Sequence, residues 1–212
     1  MTTPSLHYTV CGPAGAPPVL FLHGFMGNAR DWEEVIAALH SDFMCIAIDL
    51  PGHGATPPMP PSQNHTDLGR RLGDLCRTLA VRHVAALSFG AIFALQVSLT
   101  QPGPLRSVVL GAPAIAGGPQ DDGMAPVYFR LISLYRQSGR SEDLDKIWMA
   151  SRPWDGLSHR VGLKKALARV VGRHRWTELT SFSRILQFFQ PPQSLEAVSY
   201  THLTLPTKED EC

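Results

Sequence analysis

Apolar runs without polar alternation punctuate the first half of the chain. Val19–Leu22 and Phe43–Ile48 leave no polar face for water, the pattern of strands covered on both sides. His83–Leu87 and Ser107–Leu110 have the same character, and Leu6–Val10 supplies a leading strand. Between these runs apolar positions recur at helical spacing. Trp32, Val35, Ile36 and Leu39 fall on one face, with Asn28 or Asp31 placed to cap and Glu33 and Glu34 in the first turn. Leu68, Leu72, Leu75 and Leu79 follow a cap expected at Thr66 or Asp67. From Phe89 to about Thr100 the sequence is apolar nearly all round, so that helix is expected to be buried. Strands alternating with helices predict an α/β fold with a mostly parallel sheet covered on both faces.

The alternation stops near Gly117. Tyr128–Gln137, Leu144–Met149, Val161–Val171 and Trp176–Phe189 read as helices, the last with Phe182, Ile185, Leu186 and Phe189 on one face. Residues 1–116 are therefore expected to form a core and 117–190 a helical cap, with 191–197 returning to the core and 198–212 a non-native tail. Trp148, Trp154, Trp176 and Phe188 are expected to pack within the cap, lining a pocket being the lesser reading.

Composition narrows the partners. With 44% hydrophobic and 17% charged residues and a formal charge of +1, no global basic field recommends nucleic acid. Cys11, Cys45, Cys76 and Cys212 lack C-x-x-C spacing, so reduced thiols are expected, Cys45 and Cys76 as small buried hydrophobes. The amino terminus lacks the charged and apolar regions of a signal peptide, and no run is long enough to span a bilayer. A cytoplasmic protein without membrane partner, metal or cofactor is the expectation. The 18 prolines and 18 glycines are dispersed, which fits short loops and not a repeat.

Chemistry concentrates where three predicted strands end. These are Leu22-His23-Gly24-Phe25, Asp49-Leu50-Pro51-Gly52-His53-Gly54 and Ala86-Leu87-Ser88-Phe89-Gly90. A serine carried from a strand through a small-residue turn into a helix sits on a strained elbow with its hydroxyl exposed. In this order the motifs resemble the α/β-hydrolase family, over about Leu6 to Ala197. The resemblance implies Ser88 as nucleophile and the backbone N–H groups of Phe25 and Phe89 as oxyanion donors. It assigns His23, Gly24, Ala86 and Gly90 to loop and elbow support, with Ala86 one methyl larger than the usual glycine. His53 is likewise expected to be structural. His83 starts its strand, and at roughly 3.3 Å per residue lies too far from Ser88 to act as base. His159 and His174 are expected as surface or packing residues of the cap.

The resemblance also implies an acid and a histidine after the cap, and neither is identified. Following Gln190–Ala197 the chain reads Val198-Ser199-Tyr200-Thr201-His202-Leu203-Thr204-Leu205-Pro206-Thr207, which resembles a translated transposon-end sequencing adapter. The expectation is a chain cut near Ala197, missing its last two core strands, with little triad-type activity and with Ser107–Leu110 as an aggregation-prone edge. The rival reading takes the tail as genuine and His202 as base. Separately, Asp121 and Asp122 follow the strand at Leu110, where some members of the family place their acid, a solvated loop being the other reading and a histidine base still absent. The amino-terminal half is similar to the menaquinone-pathway synthases of this fold, which eliminate pyruvate from a dicarboxylated cyclohexene. Those enzymes place Tyr before the serine and Arg four residues after it, where this chain has Leu87 and Ile92. Without that charge-assisted contact the expected parent activity is acyl-enzyme hydrolysis of a small carboxylic ester or lactone. The alternatives are a synthase-like lyase and a non-catalytic ligand-binding module of the same fold.

Overall fold

Each continuous apolar run becomes a strand that sends alternate side chains to two different layers. In the computed structural model, which describes residues 5–100, 103, 105–113 and 124–180, β2 (Pro18–Leu22) directs Val19 and Phe21 to one face and Leu20 and Leu22 to the other. β3 (Met44–Ile48) divides in the same way, with Cys45 and Ala47 opposite Ile46 and Ile48. These strands, with β1 (Tyr8–Cys11), β4 (His83–Leu87) and β5 (Ser107–Gly111), form one sheet in the order β1-β3-β2-β4-β5. β1 runs antiparallel to β3, and all other pairs are parallel.

One layer is thin. A capping box closes on Asn28, whose side chain accepts the Arg30 N–H at 2.9 Å, and a 3-10 turn leads into α1 (Glu33–Leu39). Trp32, Ile36 and Leu39 pack on Phe21 and Ala47, whereas Val35, expected on the same face, is 41% exposed. Seven residues make only two turns, too few to bury a wide stripe.

The other layer is the main core, built by α2 (His65–Thr78) and α3 (Phe89–Thr100). α2 starts two to three residues earlier than expected. Asn64 is the N-cap, accepting the N–H groups of Thr66 and Asp67, while Asp67 accepts the Asn64 N–H in return. Leu68, Leu72 and Cys76 turn inward to Ile92, Phe93 and Val97 of α3. Burying a leucine in this layer stabilises the fold by about 2 kcal/mol.

The cap comprises α4 (Ala125–Ser138), α5 (Glu142–Met149) and α6 (Val161–Arg173), followed by a 3-10 turn at Thr177–Thr180. Leu131, Ile132, Leu144, Trp148, Val171, Trp176 and Leu179 form its apolar centre. That centre includes Met26, from the loop after β2, so the cap and the sheet share one seam. Phe182, Phe188 and Phe189 lie outside the described residues. Among the described residues no helix is long and apolar enough to cross a membrane.

Candidate active site

The loops after β2, β3 and β4 converge beneath the cap. At the β4–α3 junction Ser88 adopts φ 47°, the left-handed region that a side chain disfavours by roughly 1–2 kcal/mol. Two backbone bonds hold it there: the Ser88 N–H to the Gly111 carbonyl at 2.8 Å, and the Ala91 N–H to the Ser88 carbonyl at 2.9 Å. The elbow also presses on the end of β2. A Cβ on Gly90 would stand 2.6 Å from the Leu22 carbonyl oxygen and 2.7 Å from that of His23, so only glycine allows this approach. Ala86 is buried in the main core, which accommodates its extra methyl. Gly24 is under no such demand, since a Cβ there would meet Leu87 at an ordinary 3.5 Å.

Phe25 follows His23 and Gly24, and Met26 after it takes φ 66°. Among the described residues nothing accepts a hydrogen bond from the Phe25 N–H, and nothing bonds the Ser88 hydroxyl. The flanking histidines are committed to loop contacts. His23 Nδ1 donates to the Gly24 carbonyl at 2.7 Å and Nε2 accepts the Leu50 N–H at 2.9 Å, which fixes a neutral tautomer. Burial pushes its pKa down to about 4. His53 Nδ1 lies 3.1 Å from the Pro51 carbonyl, and its buried Nε2 has no partner among the described residues. Burial, reinforced by His23 and His174, holds His53 well below the usual imidazole range. Asp49 anchors both loops, accepting the Ala29 N–H at 2.8 Å and the Ala55 N–H at 2.9 Å while His7 Nδ1 stands 2.8 Å away.

The Phe25 ring is the meeting point of core and cap. It contacts His53 and Phe89 below and Trp148, His174 and Trp176 above, at centroid separations of 5.8, 5.6, 5.5, 5.4 and 6.4 Å respectively. His174 lies on His53 at 4.8 Å, and its Nε2 is 2.8 Å from Glu178 Oε1 in a buried pair. The segment carrying His174 is clamped from outside. Arg140 donates to the carbonyls of Gly172 at 2.8 Å and His174 at 2.9 Å and to Asp145 Oδ2 at 2.6 Å. Asp145 Oδ1 in turn accepts the indole N–H of Trp176 at 3.0 Å, a residue held at φ 58° and fully buried.

The structure thus places Ser88, Phe89 and Gly90 on one turn and His23, Gly24 and Phe25 on the loop it touches. His83 is at the opposite end of β4, bonded to the Ser107 hydroxyl at 2.8 Å, and His159 is exposed. His202, Asp121 and Asp122 lie outside the described residues. Sequence reading missed the pairing of His174 with Glu178, for which the i, i+4 spacing was the available signal. It also missed Arg140 and Asp145, whose partners are some thirty residues away in the chain. Among the described residues no group of three or more His, Cys, Asp or Glu could hold a metal ion.

A family model described as the alpha/beta hydrolase family matches residues 19–210. The chain belongs to the alpha/beta hydrolase family. A 2-succinyl-6-hydroxy-2,4-cyclohexadiene-1-carboxylate synthase from Escherichia coli O1:K1 / APEC is 32% identical over 116 residues, which is 51% of this chain and 44% of that protein. The match therefore spans less than half of this relative. Similar solved structures include a carboxylesterase from Nitrososphaera gargenis, at TM-score 0.72 and 20% identity over 91% of this chain and 72% of that one. MenH from S. aureus superposes at TM-score 0.68 and 16% identity, covering 89% and 71%. At such identities the alpha/beta hydrolase fold is what the likeness establishes.

Proposed function

We propose that Ser88 is the nucleophile of a carboxylic-ester or lactone hydrolase that works through an acyl-enzyme. The observation that carries this reading is the left-handed Ser88 itself, a strained non-glycine residue at a strand-to-helix turn packed against the loop of Phe25. Strain of this kind persists where surrounding structure over-determines it, and it lifts the hydroxyl clear of the helix. In acylation the Ser88 oxygen bonds to the carbonyl carbon, the carbonyl oxygen becomes an oxyanion, and the Phe25 and Phe89 N–H groups donate to it. Each donor of this type supports about a hundredfold or more in rate. The alkoxide then leaves and takes the proton released by the serine. Without a base bonded to Ser88 among the described residues, acylation by a reactive electrophile is expected to outpace turnover.

Reaction with a fluorophosphonate, read by intact mass, tests the reading. One adduct per chain at Ser88, lost in Ser88→Ala, is expected; an unlabelled chain with a native circular dichroism spectrum would overturn it. The half-length similarity to the synthase favours a second reading, elimination of pyruvate by the same serine. Leu87 and the buried Ile92 beside the elbow supply no cation for a carboxylate, which favours the neutral ester or lactone. Pyruvate release from the synthase substrate without cleavage of short acyl esters would reverse that preference.

A further inference from the structure

Two cysteines separated by 34 positions in sequence, from Cys11 to Cys45, are direct neighbours across the β1–β3 ladder. Opposed residues in an antiparallel pair project from the same face of the sheet, so the two thiols share the α1 side. The Asp49 N–H donates to the His7 carbonyl at 2.9 Å, and that sets the alternation along the ladder. Two residues per step carry the hydrogen-bonded pairing from His7 and Asp49 to Cys11 and Cys45. Such pairs place their Cα atoms about 5.5 Å apart, inside the Cα range of disulfides, while their Cβ atoms stand at the wide end of cross-strand spacing, so closure must draw the end of β1 toward β3. Both cysteines are free thiols in the structure.

Their environments differ in a way that orders the chemistry. Cys11 is exposed on the last residue of an edge strand, whereas Cys45 is fully buried with its thiol 3.8 Å from the Phe43 carbonyl. Gly12, at φ 109°, brings the chain so close to Phe43 that an added Cβ would stand 2.1 Å from the same carbonyl oxygen. The end of β1 is therefore pressed onto the turn that carries the Cys45 thiol. Burial, with the neighbouring Cys11, raises the Cys45 thiol above its ordinary pKa, so it is the slower of the two to react with an oxidant.

We propose that Cys11 and Cys45 form an oxidisable dithiol that closes to a disulfide on exposure to a hydroperoxide. The Cys11 sulfur attacks the peroxide oxygen, giving a sulfenic acid and releasing water from hydrogen peroxide. The Cys45 sulfur then bonds to the Cys11 sulfur, and the sulfenic oxygen departs as a second water with the Cys45 proton. The two thiols are oxidised by two electrons and one peroxide is reduced. The bridge fixes the β1 edge to β3, which leads into Asp49, whose carboxylate holds the loops around His23 and His53.

Treatment of the full chain with hydrogen peroxide, followed by thiol titration and peptide mass mapping, tests this. Two of the four thiols are expected to disappear with a loss of 2 Da and a single Cys11–Cys45 crosslinked peptide, reversed by dithiothreitol. Cys11→Ser and Cys45→Ser should each abolish the crosslink, while Cys76→Ser retains it. Oxidation in guanidinium should scatter the pairings, because the register no longer selects them. Pairing of Cys11 with Cys76, with Cys212 or with another chain, or accumulation of Cys11 sulfinic acid while Cys45 stays reduced, would overturn the proposal. Thermal melting of Cys45→Ser before oxidation separates a folding defect from a lost partner.

Discussion

At the scale of single residues, the site is defined by groups that have no freedom to change. Gly90 is one of them, since the oxygens a Cβ would meet belong to backbone at 2.6 and 2.7 Å. Gly90→Ala is expected to separate the elbow from β2, costing about 2 kcal/mol or more and slowing fluorophosphonate labelling of Ser88. Melting temperature and labelling rate measured on the same preparation check both effects. Asp49 is another. Its two oxygens receive N–H groups from Ala29 and Ala55 and face His7, so Asp49→Asn turns an amide donor toward a backbone donor. A loss of about 2 to 3 kcal/mol is expected, read from urea unfolding at pH 7. Neither effect depends on which ester, if any, the site accepts.

At the scale of elements, the sequence pattern located every described strand and most helices, and it failed where side chains replace periodicity as the signal. The α2 start was placed two to three residues late because Asn64 caps through an Asn-x-x-Asp box, whereas hydrophobic spacing begins only at Leu68. The expected helix from Trp176 opens as a 3-10 turn at Thr177–Thr180, with Trp176 itself left-handed. Its indole is held by Asp145, and Asp145 by Arg140, a chain of contacts no local pattern encodes. Arg140→Ala removes donors to three carbonyls and one carboxylate at once. It is expected to lower stability by about 1 to 3 kcal/mol and to loosen the seating of His174 and Trp176 on Phe25, with Arg140→Lys intermediate. Protease susceptibility near Gly172 and tryptophan fluorescence should follow that order. Among the described residues β5 is the last strand at the sheet's other margin, and Val109 there is 66% exposed. Val109→Lys is expected to reduce light scattering on concentration without changing the circular dichroism spectrum.

At the scale of the whole molecule, core and cap meet through imidazoles and aromatic rings, and this junction was only half legible. The motifs around His23, His53 and Ser88 identified the core side, since their spacing is local. His174 carried only its i, i+4 spacing to Glu178, and its importance comes from the strand-end loop it covers. Together His23, His53 and His174 form a column with ring centroids 5.1 and 4.8 Å apart, faced by Glu178 from the cap and Asp49 from the core. His23 and His53 are neutral in the folded protein, with pKa values held below 6.5 by burial. In the unfolded chain both regain the ordinary value, so acid adds protons to the unfolded state first and stability falls with pH. For His23 the loss starts near pH 6.5 and is complete below its folded value of about 4. By pH 4.5 it amounts to about 2 to 3 kcal/mol, and His53 adds to it in the same direction. Urea unfolding at pH 7 and pH 4.5 should therefore differ by more than in His23→Gln, whose amide can donate to Gly24 and accept from Leu50 without titrating. An equal pH dependence in wild type and His23→Gln would show that acid acts elsewhere in the fold.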